Sequence, residues 1–170
     1  MTQAHTSPAR PPGDDPVYEA GARSDPFSVL VAEHALLRQQ FARVLAAAKD
    51  DESGAPTRRT LGALSESLRL HQRREDFALY PLCERLFGGK EGAASVLRDD
   101  HTAIVAQLEV LLRESATTGQ VSRARLDVLC GELDDHFGKE ERVLFPLTAA
   151  LLSGTESSDL ARRLRTPPIA

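Results

Sequence analysis

The sequence predicts an all-α protein, an antiparallel up-down-up-down four-helix bundle, and three observations carry that prediction. Apolar residues are 41% of the chain, led by Leu and Ala, while aromatics are only 5% and Trp is absent; this balance favours helices over a sandwich or barrel. Four long stretches repeat apolar residues at three- and four-residue spacing, the period of one helix face. Three short breaks rich in turn formers separate them, and connections of that length make consecutive helices antiparallel neighbours. At 170 residues the chain suits one domain with a sizeable core and is too short for two of ordinary size.

Residues 1–26 carry Pro8, Pro11, Pro12, Pro16 and Pro26 with Gly13 and Gly21, which disfavours regular structure and predicts an extended arm. Ser24-Asp25-Pro26 then reads as a helix start, a capping side chain followed by proline in the first turn. The first predicted helix, 27–49, places Phe27, Leu30, Val31, His34, Leu37, Phe41 and Val44 on one face. The second, 57–87, aligns Leu61, Leu64, Leu68, His71, Glu75, Ala78, Leu79, Leu82 and Leu86. The third, 92–116, aligns Leu97, His101, Ile104, Val105, Leu108, Leu111 and Leu112. The fourth, 121–152, aligns Leu126, Leu129, Leu133, His136, Glu140, Val143, Leu144, Leu147 and Leu151. The domain is therefore expected over 27–152, followed by a tail, 153–170, with one short helix near 156–165 before Pro167 and Pro168.

Composition excludes several functions. The net charge is −4 and the basic doublets are scattered among acids, which does not suit nucleic acid, where clustered Lys and Arg must neutralise phosphates. No run approaches the roughly 20 apolar residues of a membrane span, and no signal-peptide core opens the chain, so a cytoplasmic protein is expected. Cys83 and Cys130 lack CxxC spacing and lie in apolar helical patterns, as core thiols do.

Each predicted helix holds one histidine in the middle of its apolar stripe: His34, His71, His101 and His136. Two stripes add a glutamate four residues on, Glu75 and Glu140, and residues at that spacing point the same way, here inward. An ionised carboxylate among leucines costs several kcal/mol unless it is paired, protonated or metal-bound. His34 and His71 are 37 residues apart with a loop near the midpoint, and His101 and His136 are 35 apart in the same way, so all six groups return to one level of the bundle. Imidazole and carboxylate without thiolate suit iron, manganese or zinc. Six such ligands match two metals, each with two histidines and sharing two bridging carboxylates, with open positions left for dioxygen, peroxide or nitric oxide.

The second and fourth helices also repeat one string, HxxxE(D/E)xxL(Y/F)PL, at His71–Leu82 and His136–Leu147; Glu33-His34 and Asp100-His101 echo each other more weakly. Pro81 and Pro146 are expected to kink their helices beyond the ligands. The acids flanking the ligands (Glu33, Asp76, Asp100, Glu141) read mainly as solvated faces, with orientation of a ligating imidazole as the alternative. Tyr80 reads as a core aromatic, or else as a proton or electron donor to the site.

In this order of ligands and in the repeated string, residues 27–152 resemble the hemerythrin-like, or HHE cation-binding, domains. The resemblance implies two iron ions in an oxo- or hydroxo-bridged di-iron centre, with Glu75 and Glu140 bridging and the histidines terminal. It departs from the oxygen-carrying members, which add a fifth histidine where this chain has Val105. The four-His, two-Glu set is similar to members that handle peroxide, with a catalase- or peroxidase-like activity, or nitric oxide, to iron sensors, and to proteins that repair iron–sulfur centres. A role in oxidative or nitrosative stress follows as the expectation, with non-enzymatic binding or sensing of dioxygen, nitric oxide or iron as the alternative.

Overall fold

A computed structural model describes residues 25–50, 54–87, 89 and 92–166. Nearly all of the expected arm, and His5 with it, lies outside the described residues. Helix α1 spans Ser28–Asp50, α2 Ala55–Arg74, α3 Tyr80–Leu86, α4 Ala93–Thr118, α5 Arg123–Lys139, α6 Phe145–Leu151 and α7 Gly154–Arg165. A π-turn, Glu75–Leu79, joins α2 to α3, and a second, Glu140–Leu144, joins α5 to α6. Four rods result, with α7 added, and no strand occurs among the described residues. Each predicted helix ends within two residues of its observed rod. Contacts run α1 to α2, α2 to α4, α4 to α5 and α5 back to α1, closing the bundle.

Local chemistry sets the ends. The Asp25 carboxylate accepts the Phe27 N–H ahead of α1, Ser122 accepts from the Arg125 N–H at α5, and Ser153 with Glu156 forms a reciprocal capping box at α7. Gly54 before α2 and Gly119 after α4 take left-handed φ values of 71° and 74°. They also face each other: a Cβ on Gly54 would lie 1.3 Å from the Gly119 carbonyl oxygen. No residue but glycine fits there.

The π-turns explain where helical periodicity misleads. Tyr80 donates its N–H to the Glu75 carbonyl and Phe145 to that of Glu140, five residues back, immediately before the two prolines expected to kink the rods. The wider turn inserts about one extra residue, which rotates the downstream face by roughly 100°. Leu147 and Leu151, expected inside, are therefore each 53% exposed, and Phe145 and Thr148 are buried instead, while Leu144 is inside as expected and Val143, within the second π-turn, is 53% exposed. In the second rod Tyr80 and Cys83 take the inner positions, leaving Leu82 and Leu86 half-buried. Val31 is also exposed rather than inward. Cys83 is a buried free thiol, whereas Cys130 is half-buried at the edge of the core.

Two apolar clusters fill the bundle. One joins Leu37, Phe41, Leu64, Leu108, Leu129 and Phe137 at the end closed by Gly54 and Gly119. The other joins Phe27, Leu30, Leu79, Tyr80, Leu97, Phe145, Leu160 and Leu164 at the opposite end. One histidine falls between them in every rod, joined by Glu75 in the second and Glu140 in the fourth.

Candidate metal centre

All six predicted ligands converge in one buried layer. His34, Glu75 and Glu140 have no exposed surface, and His71, His101 and His136 are at most 5% exposed. The helical phase of α1, α2, α4 and α5 aims each imidazole Nε2 at the bundle axis. The Nε2 atoms of His34 and His71 are 3.1 Å apart, and those of His101 and His136 are 3.0 Å apart. Glu75 spans the two pairs: its Oε1 is 3.1 Å from His71 Nε2, and its Oε2 is 3.1 Å from His101 Nε2. Glu140 places Oε2 at 3.2 Å from His34 Nε2 and 3.5 Å from His136 Nε2. Two ion-sized groupings follow, His34, His71, Glu75 and Glu140, and then Glu75, His101 and His136.

These donors fit divalent cations. Both oxygens of Glu75 and Oε2 of Glu140 are buried without a hydrogen-bond partner, a costly state that a bound cation relieves. The electrostatics agree. Burial raises the Glu140 pKa to about 7, and the neighbouring Glu75 charge adds to the effect. Burial also opposes the charge on Glu75, but the surrounding His71, His101 and His34 imidazoles outweigh it and hold that carboxyl well below its ordinary range. Burial lowers His136 to about 4. For His101, burial is outweighed by Asp76 and Glu75, which raise its pKa to about 9. Cation binding at these acids and bases is thereby linked to proton release.

Tyr80 is wholly buried and donates its hydroxyl to Glu140 Oε1 at 2.8 Å, 3.1 Å from His101 Nε2. Burial, reinforced by the Glu75 and Glu140 charges, raises its pKa well above the usual phenol value, so it keeps its proton. It is both a core aromatic and a polar neighbour of the site.

The four flanking acids were expected mainly on solvated faces; each stands behind a histidine instead. Glu141 accepts from or faces His34 Nδ1 at 2.8 Å, Glu33 His71 Nδ1 at 3.0 Å, Asp100 His136 Nδ1 at 3.5 Å and Asp76 His101 Nδ1 at 3.8 Å. Each acid also meets a cation: Arg38 for Glu141, Arg74 for Glu33, Lys139 for Asp100 and Arg98 for Asp76. The sequence signal was adjacency. A residue next to a ligand is turned by about 100°, from the axis toward the neighbouring rod, where that rod's histidine presents its outer nitrogen.

Phe137 stacks on His34 with ring centroids 4.1 Å apart and meets His71 edge-on at 5.8 Å. Periodicity did not select it, because it directly follows His136. Among the described residues no helix is long and apolar enough to cross a membrane.

A family model described as the hemerythrin HHE cation-binding domain matches residues 16–83 and 92–165. No curated protein matches the chain.

Proposed function

The chain belongs to the hemerythrin HHE cation-binding domain family, and on that premise we propose that its buried His and Glu cluster holds two iron ions and binds or turns over a small oxidant. His34 and His71 would hold one ion, His101 and His136 the other, with Glu75 and Glu140 between them. One observation carries this reading: the two oxygens of Glu75, buried and without hydrogen bonds, turn to opposite histidine pairs. A single-metal site leaves one of those oxygens uncompensated.

When bound, such ions supply Lewis acidity and a change of oxidation state, suited to peroxide, dioxygen or nitric oxide. The residues of this chain do the rest. The outer acids orient the imidazoles so that Nε2 faces inward. Tyr80 keeps its hydroxyl proton directed at Glu140 Oε1 at the edge of the layer, which orients that carboxylate. The two apolar clusters restrict water above and below. Peroxide disproportionation or reduction is the leading enzymatic form, in defence against oxidative or nitrosative stress.

Metal analysis of the purified chain is the first test, with about two iron per chain expected. Glu75→Ala or Glu140→Ala should lose metal and stability together; unchanged iron content in either variant removes its bridging role. Rapid loss of added peroxide then supports turnover. A stable dioxygen or nitric oxide adduct without turnover identifies a binding or sensing protein instead.

A further inference from the structure

We infer that the two metal positions are unequal, the His34–His71 position binding a divalent ion more tightly than the His101–His136 position, because the carboxylates behind the two histidine pairs differ by one methylene. This rests on the two-ion reading above.

The internal repeat makes the comparison internal to one molecule. In the repeated strings Asp76 corresponds to Glu141, and in the flanks of the first-rod and third-rod histidines Glu33 corresponds to Asp100. Each repeat contributes one Glu and one Asp, yet both glutamates stand behind one histidine pair and both aspartates behind the other. The pattern follows from the closed order of the rods, since every acid reaches across to the next rod around the bundle.

One methylene changes reach by about 1.5 Å. Glu141 and Glu33 lie within hydrogen-bonding distance of His34 and His71 Nδ1, at 2.8 and 3.0 Å. At 3.5 and 3.8 Å, Asp100 and Asp76 make no hydrogen bond, and the Nδ1 atoms of His136 and His101 are buried without a partner. Cations anchor both aspartates on their outer sides, Lys139 at 2.7 Å from Asp100 and Arg98 at 3.0 Å from Asp76. A carboxylate accepting Nδ1–H fixes the tautomer that leaves Nε2 free and makes that nitrogen a stronger donor. The first pair has this support and the second lacks it.

Two further contrasts point the same way. The first position gathers four donors, His34, His71, Glu75 and Glu140, and the second three, because the other oxygen of Glu140 accepts from Tyr80. Phe137 stacks on His34 at 4.1 Å, and its repeat counterpart is Gln72, which offers no ring; Phe145 on His34 and Tyr80 on His101 are matched.

Anaerobic titration of the metal-free full chain with Co(II), followed by absorbance and calorimetry, tests this. Two steps at least tenfold apart in affinity are expected. His34→Ala should remove the tighter step and His101→Ala the weaker. Glu33→Gln and Glu141→Gln should weaken the tighter step by about 10- to 100-fold, and Asp76→Asn and Asp100→Asn should change the weaker one far less. Should the Gln variants lose helicity, the reverse change decides: Asp76→Glu with Asp100→Glu should strengthen the weaker step and narrow the gap. Two ions bound with equal affinity, or a gap unmoved by the Asp→Glu pair, would overturn the inference while leaving the two-ion reading standing. No uptake of metal at all would overturn both.

Discussion

The two repeats form two equivalent grooves at the aromatic end of the bundle, and they are treated differently. Helix α7 packs on α1 and the first π-turn, burying Leu160, Ala161 and Leu164. The counterpart groove, beside α4 and the second π-turn, is an apolar cavity of about 450 Å³ lined by Phe87, Val96, Leu97, Val143, Leu144 and Leu147. Ala78, in the covered groove, is 1% exposed, and its repeat partner Val143 is 53% exposed. Proline shapes the covered side. Pro81 lacks the N–H that would meet the Phe77 carbonyl, and Arg163 of α7 donates to that oxygen at 2.7 Å. The difference shows that burial here depends on what docks against a rod as much as on the rod's own pattern.

Substitutions in the two grooves should separate accordingly. The largest effect is expected for Leu164→Ala, which removes a fully buried anchor of α7 and should cost about 2–5 kcal/mol in chemical denaturation. Its metal content should stay unchanged, and loss of metal in that variant would show that α7 supports the site as well. Ser153→Ala should cost about 1 kcal/mol through its cap. A cost near zero would mean that α7 is held by packing alone.

Acid should loosen α7 next. The Ser153 backbone N–H and hydroxyl, with Arg85, depress the Glu156 pKa to about 2 from an ordinary 4.5. A depressed carboxyl stabilises the fold above the ordinary value, and that contribution is lost as pH falls from about 4.5 toward 2. Amide exchange in α7 should quicken over that window and lose this dependence in Glu156→Gln. The smallest effect is expected for Leu147→Ser in the open groove, within about 0.5 kcal/mol. A large destabilisation there would mean that this face is covered after all.

Much of this architecture was legible in the sequence, and its misses share a cause. Four amphipathic rods and the inward convergence of His34, His71, Glu75, His101, His136 and Glu140 follow from a 3.6-residue period and the positions of the turns. Leu147 and Leu151 were misplaced because a π-turn shifts the helical phase, and a fixed period cannot register one inserted residue; Val143 was misplaced because its groove, unlike that of Ala78, has no helix docked on it among the described residues. Glu33, Asp76, Asp100 and Glu141 sit on faces that an isolated helix turns toward water; their role appears only when the neighbouring rod is in place. The docking of α7 depends on a carbonyl freed by a proline 82 residues earlier, a relation that lies outside any local pattern.

The contact between Gly54 and Gly119 has a mechanical consequence. Because two turns press together there main chain to main chain, neither hairpin can part from the other without both turns giving way at once. A side chain added at Gly54 would have to push the two turns apart.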